Sequence, residues 1–194
     1  MRVIAGELRG RKLKAPHGNE TRPTADRVKE AMFSMLESVK LTEDPERRPF
    51  ENERVLDLYA GSGALGIEAL SRGAAQVVFV EQSRPALIEL GENLRALGLL
   101  AQATVLAASV ARSIERIRSL GPFALTLVDP PYEDVASGAV SKLLTRLIES
   151  GGLSKGGALV LEHATRDAPP TIAGTEFDRS RKYGDTTVSL YRLV

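Results

Sequence analysis

Val55-Leu56-Asp57-Leu58-Tyr59-Ala60-Gly61-Ser62-Gly63-Ala64-Leu65-Gly66 reads as a buried strand, a glycine turn and the opening of a helix that runs to about Arg72. Val77-Val78-Phe79-Val80-Glu81 is a second strand, so the unit is βαβ, with strands paired in parallel through a right-handed crossover. Gly61, Gly63 and Gly66 follow the G-x-G-x-x-G pattern, and Glu81 falls 20 residues after Gly61. That spacing suits an adenosine-bearing cofactor. Small residues let it approach the backbone, and the acid accepts two ribose hydroxyls.

The alternation continues downstream. Leu87, Leu90, Leu94 and Leu97 mark one face of a helix that stops at Gly98. Thr104-Val105-Leu106 is a third strand, followed by a helix marked by Val110, Ile114 and Ile117. Phe123-Ala124-Leu125-Thr126-Leu127-Val128 is apolar almost throughout, as suits a strand covered on both faces, and it delivers Asp129 at the sheet end where ligands of open α/β sheets bind. A helix carrying Val140, Leu143, Leu144, Leu147 and Ile148 leads to the strand Ala158-Leu159-Val160-Leu161-Glu162. Phe177 to Lys182 and Thr187 to Leu193, around Gly184-Asp185, close the chain as an antiparallel hairpin. The expected class is α/β, a doubly wound, mostly parallel sheet of seven strands.

Asp57 chooses among adenosine cofactors. A carboxylate just before the glycine turn would repel a pyrophosphate placed over the helix N-terminus. S-adenosylmethionine has no phosphate, and its sulfonium and ammonium are stabilised by a nearby carboxylate, directly or through water. The expected cofactor is therefore S-adenosylmethionine, and the residues expected around it are Asp57, Tyr59, Gly61, Ser62, Gly63, Glu81 and Gln82.

Asp129-Pro130-Pro131-Tyr132 resembles the Asp/Asn-Pro-Pro-aromatic motif of amino-directed methyltransferases. An exocyclic amine of a nucleobase is conjugated into its ring, and its lone pair becomes nucleophilic when hydrogen bonds draw the nitrogen towards a tetrahedral shape. The Asp129 carboxylate and the Pro130 carbonyl are suitable acceptors. The prolines fix the backbone and remove competing N–H donors, and Tyr132 offers a face for a flipped-out base. These four are the expected catalytic residues of a Rossmann-like class I methyltransferase.

The N-terminal 53 residues read as an extension to the domain of residues 54–194. Val3-Ile4-Ala5-Gly6 and Leu8-Arg9-Gly10-Arg11-Lys12-Leu13 suggest a β-ribbon. Thr24 is expected to cap a helix with Val28, Ala31, Met32, Met35 and Val39 on its apolar stripe. Residues 40–53, charged and holding Pro45 and Pro49, read as a surface linker. The chain of 194 residues has a net charge of +1, but residues 1–24 alone carry +4, leaving −3 on the rest. A basic arm on a mildly acidic body suggests a polyanionic partner, with Arg9, Arg11, Lys12 and Lys14 on its phosphates. Absence of cysteine excludes disulfides, thiolate-bound metal and thiol nucleophiles, and two scattered histidines, His17 and His163, give no metal site. No apolar stretch is long enough for a membrane span and Glu7 interrupts any leader, so a cytoplasmic protein is expected.

The order of parts resembles the bacterial 16S rRNA guanine-N2 methyltransferases of the RsmD type. The resemblance rests on Arg2-Val3-Ile4-Ala5-Gly6, Arg9-Gly10-Arg11-Lys12-Leu13, Arg22-Pro23-Thr24 with Asp26-Arg27-Val28 and Phe33, the Asp57 to Gly66 segment, Asp129-Pro130-Pro131-Tyr132 and Lys182-Tyr183-Gly184. It implies methylation of one guanine in the head of the 30S subunit; a monomer is expected. Arg2, Arg9, Arg11, Lys12, Lys14, Arg22, Arg27 and Lys182 would then meet RNA. Many members hold the adenine amine with an acid after the third strand. This chain has Leu106-Ala107-Ala108-Ser109 there, which passes adenine recognition to Ser109 or to backbone groups. Two other readings remain open: an adenine-N6 or protein glutamine-N5 methyltransferase, and an RNA-binding assembly module with a vestigial Rossmann fold.

Overall fold

The computed structural model describes residues 1–15, 23–38 and 50–194, with the backbone alone at 23–25. Arg22, His17, Val39, Pro45 and Pro49 therefore lie outside the described residues. The elements in order are α1 (Pro23–Glu37), β1 (Arg54–Leu58), α2 (Ala64–Ser71), β2 (Gln76–Glu81), α3 (Arg84–Leu97), β3 (Ala103–Ala107), α4 (Val110–Leu120), β4 (Phe123–Val128), α5 (Tyr132–Ala136), α6 (Ala139–Glu149), β5 (Leu153–Ala164), β6 (Thr175–Tyr183) and β7 (Thr186–Leu193). Helix α1 begins at Pro23, one residue before the expected cap, so Thr24 sits in its first turn. Proline suits that first position because its missing N–H would have no helical partner there.

The strands form one sheet in the order β3-β2-β1-β4-β5-β7-β6. β1 to β5 pair in parallel, while β7 runs antiparallel between β5 and β6. The closing hairpin thus places its antiparallel strand inside the sheet and leaves β6 at the edge. Strand alternation separates two cores. Val55, Val77, Phe79, Leu127 and Val160 face α1, α2 and α3, whereas Leu56, Leu58, Val80, Val128 and Leu161 face α4 and α6. The same alternation turns Asp57 towards α2. No helix among the described residues is long and apolar enough to cross a membrane.

The N-terminal segment is a hairpin with a single ladder bridge, Arg2 to Lys12. Side chains of the sheet-covering helices satisfy what that short ladder leaves over. The Glu68 carboxylate of α2 accepts the N–H groups of Ile4 at 2.8 Å and Ala5 at 2.9 Å, and the Ser71 hydroxyl accepts that of Leu8 at 3.0 Å. A Cβ on Gly6 would stand 1.8 Å from the Ser71 carbonyl oxygen, so only glycine permits this contact. Val3 and Leu13 are buried in the same cluster as Met32, Ile67 and Leu70. The expected linker ends in the core: Phe50 is 2% exposed, with its ring centroid 5.3 Å from that of Phe33. Its aromatic surface outweighs the charged composition around it.

Candidate active site

The carboxyl ends of β1 to β4 open on a cleft of about 670 Å³, at the point where the strand order reverses between β1 and β4. Tyr59, Glu81, Gln82, Ser109, Asp129, Pro130 and Pro131 line it, so seven of the residues singled out in the sequence share one wall system. Val80, Val110, Ala139 and Leu143 supply an apolar stretch of the same lining, and Asp134 of α5 adds an acid.

The glycine turn stands behind this wall. Asp57 is 1% exposed and its Oδ2 accepts the Gly66 N–H at 2.8 Å, tying β1 to the first turn of α2. Its Oδ1 is buried without a hydrogen-bond partner. Burial lifts the Asp57 carboxyl to about 7 despite the Gly66 hydrogen bond, and the nearby Glu81 adds to the rise. A short-handed carboxylate of this kind fits a cationic ligand, because an ammonium or an intervening water would complete Oδ1 and favour the charged form.

The glycines divide their work. Gly61, at φ +56°, has open space where a side chain would be, and it is the position a ligand could approach. Gly63, at φ +86°, faces inward, and a Cβ there would meet the Leu90 side chain at 2.4 Å. Ser62 is likewise buried, with its carbonyl accepting from Asn93 Nδ2 at 2.9 Å. Left-handed backbone is thus the reason for glycine at 61, whereas close packing of α3 is a further reason at 63.

Glu81 also differs from the expected two-handed ribose acceptor. Its Oε2 accepts the Gly61 N–H at 2.8 Å, and its Oε1 accepts those of Gln82 at 2.8 Å and Ser83 at 2.6 Å. One lone pair of Oε2 remains for a ribose hydroxyl, and a second hydroxyl would have to displace a backbone donor. Ser109 caps α4 in extended backbone geometry without a side-chain cap bond, and it lines the cleft at the helix start.

Asp129 follows β4 and opens to solvent through the cleft while protein surrounds it on its other sides. That enclosure raises its carboxyl well above the usual range, and the negative charges of Glu162 and then Asp57 raise it further. Tyr132, the first residue of α5, is half-buried. Its hydroxyl donates to Glu162 Oε1 at 2.9 Å and lies 2.7 Å from Thr186 Oγ1. Enclosure in that network lifts the phenol to about 12. Glu162 was not singled out by the sequence reading. Its signal is an acid at the carboxyl end of an apolar strand, the same position that Asp129 holds after β4.

The basic residues spread over three elements. Arg2, Arg9, Arg11, Lys12 and Lys14 are exposed on the hairpin, Arg27 on α1 and Lys182 near the end of β6. Three have protein partners: Lys14 Nζ meets Glu92 at 2.8 Å, an Arg11 N–H reaches the Ala96 carbonyl at 3.3 Å, and Arg2 stands 3.7 Å from Asp26. The hairpin is joined to the cofactor side by Asn93 of α3. Its Oδ1 accepts the Lys14 N–H at 2.8 Å, and its Nδ2 donates to the carbonyls of Lys14 at 3.0 Å and Ser62 at 2.9 Å.

The family model described as Conserved hypothetical protein 95 matches residues 1–192. YlbH of Bacillus subtilis (strain 168) is 38% identical over 195 residues, covering 99% of this chain and 98% of YlbH. Ribosomal RNA small subunit methyltransferase D of Escherichia coli (strain K12) is 31% identical over 193 residues, 99% of this chain and 89% of its own length. The solved structure of yhhF from Escherichia coli is similar with a TM-score of 0.79 at 30% identity, covering 100% of this chain and 97% of that one. The likeness spans the hairpin arm, the glycine turn and the closing strands alike, and the chain belongs to this family, the RsmD family of rRNA methyltransferases.

Proposed function

We propose that the chain transfers a methyl group from S-adenosylmethionine to the exocyclic N2 amine of one guanine of 16S rRNA, in the head of an assembled or partly assembled 30S particle. The observation that carries this reading is the placement of Asp129-Pro130-Pro131 on the same cleft as Glu81, Gln82 and Ser109, with the half-satisfied Asp57 behind it. Asp57, Gly61, Glu81, Gln82 and Ser109 would hold the cofactor, and Val80, Val110 and Leu143 give its adenine an apolar bed. When bound, S-adenosylmethionine supplies a methyl group already activated by its sulfonium.

The residues of the chain then have two tasks. Asp129 accepts a hydrogen bond from the target amine and turns its lone pair towards the methyl group, and the fixed Pro130-Pro131 backbone holds that direction. Placing the reacting atoms in line is worth on the order of 7–11 kcal/mol of barrier. The hairpin residues Arg9, Arg11, Lys12 and Lys14, with Arg2, Arg22, Arg27 and Lys182, would contact RNA phosphate. The name of the Escherichia coli relative supports a small-subunit RNA substrate, and that substrate implies a cytoplasmic site of action. Incubation with labelled S-adenosylmethionine and either 16S rRNA, 30S particles, DNA or total protein, followed by digestion, tests the reading. Label should appear in N2-methylguanosine, and label in N6-methyladenosine or in protein would replace this reading with another.

A further inference from the structure

Glu162 is an acid that the reading above leaves without a task. It ends the apolar run of β5, pairs with Val188 of β7 across the antiparallel ladder, and is only partly exposed. Two neighbours fix its place. Tyr132 of the amine-binding loop donates its hydroxyl to Glu162 Oε1 at 2.9 Å, and Thr186 at the start of β7 stands 2.7 Å from that same hydroxyl. The loop that carries Asp129 is therefore anchored at its far end to two strands on the C-terminal side of the sheet.

We propose that Glu162 is a positioning residue for methyl transfer: it pins Tyr132, and thereby the loop, and it keeps a second negative charge beside Asp129 so that the proton released by the methylated amine goes to Asp129. The inference rests on the amine-methylation reading. In the step itself the sulfur–methyl bond breaks, the nitrogen–methyl bond forms and sulfur becomes neutral. The nitrogen then carries one proton too many. That proton passes to the Asp129 carboxylate and leaves through the open cleft to water.

The two acids are not equivalent. The hydroxyls of Tyr132 and Thr186 favour the ionised form of Glu162, partly offsetting its burial. Val128 pairs with Leu161 in the parallel β4–β5 register, so Asp129 and Glu162 follow at the same level on neighbouring strands. Asp129 has no such donors among the described residues, and the charges of Glu162 and Asp57 hold its proton on it. A carboxylate made more basic in this way is a better acceptor near neutral pH than an ordinary one.

The test compares wild type with Glu162→Gln, which keeps an acceptor for Tyr132 but removes the charge, and with Glu162→Asp, which keeps the charge on a shorter stem. Two readouts are taken. Carbon-13 NMR titration of the cofactor-free protein follows the Asp129 carboxyl, assigned with Asp129→Asn. The pH dependence of kcat follows methylation of small-subunit particles from cells lacking the enzyme.

The expected result is that Glu162→Gln moves both the Asp129 midpoint and the acid limb of kcat to lower pH. It should also reduce kcat roughly tenfold, with KM for S-adenosylmethionine little changed. Glu162→Asp should keep the midpoint near that of wild type. An Asp129 midpoint that stays in place in Glu162→Gln overturns the proposal, and so does a loss confined to KM. If no substrate is methylated on a guanine amine, the reading of function fails, while the NMR midpoint still decides whether Glu162 controls the charge on Asp129.

Discussion

Two buried acids lie on either side of the glycine turn, and they are furnished in opposite ways. Glu68, fully buried on α2, accepts from the Ile4 and Ala5 N–H groups and pairs with Lys29 at 3.4 Å and Arg72 at 3.0 Å. Asp57, just as deeply buried at the end of β1, has one hydrogen bond, and its charged neighbour is the acid Glu81. Asp129, open to the cleft, stands among acids as well. A buried carboxylate is costly unless paired and bonded, so the saturated one is accounted for by the fold. The under-furnished one has a buried oxygen that the fold leaves without a partner, and in the proposed function a cationic ligand meets that need.

The contrast breaks most sharply at Asp129. Asp129→Ala should reduce turnover by about 10²- to 10⁴-fold while cofactor affinity and unfolding midpoint stay near wild type. Equal losses of turnover and affinity would make Asp129 part of the cofactor site instead. On the saturated side, Glu68→Ala leaves Lys29 buried without its anion and Arg72 with Glu37 alone. It should cost about 3–5 kcal/mol in urea unfolding, and a loss too small to measure would mean that the hairpin holds itself.

Asp57 offers a test with the opposite sign. Its folded pKa, about 7, lies above the ordinary 3.8. The stability associated with its protonated form is therefore full below pH 3.8 and is lost as pH rises through 7. Asp57→Asn should make the cofactor-free protein more stable than wild type at pH 8, by up to about 4 kcal/mol, and leave it unchanged near pH 4. The same variant should bind S-adenosylmethionine more weakly, which calorimetry reads directly. A uniform destabilisation at both pH values would show that Asp57 is a structural acid like Glu68.

Smaller effects refine the picture of the arm. Asn93→Ala removes the amide that joins Lys14 to Ser62 and should cost about 1–3 kcal/mol, with faster hydrogen exchange at the Lys14 amide. Lys14→Gln breaks only an exposed pair with Glu92 and should leave the unfolding midpoint in place. It should still lower RNA affinity and reduce the salt slope by about one. An unchanged slope would remove Lys14 from the RNA-facing set.

Glu81 and Asp129 were legible in sequence because each follows an apolar run, and Asp57 because it interrupts one just before the glycine turn; strand ends are where a parallel sheet collects its ligands. Glu162 ends a run of the same kind but has no motif around it, and its partners, Tyr132 and Thr186, lie 30 residues before it and 24 after it. Glu68 and Asn93 were illegible for a related reason. On a helix, a glutamate or an asparagine looks like surface. What buries Glu68 is a hairpin whose Ile4 lies 64 positions away, and what fills Asn93 is Lys14, 79 positions away. Gly63 was legible as a glycine but not as a packing glycine, because the Leu90 it accommodates belongs to the next helix.

Local chemistry set the strands, the turns, the parallel character of most of the sheet and the residue types at its carboxyl edge, since period, punctuation and charge all act over a few neighbours. Only the tertiary structure decided how many partners each acid has. Pairing distances and burial depend on which distant elements come to rest against one another, and it is that count of partners which separates the acid that holds the arm from the acids proposed to meet a ligand.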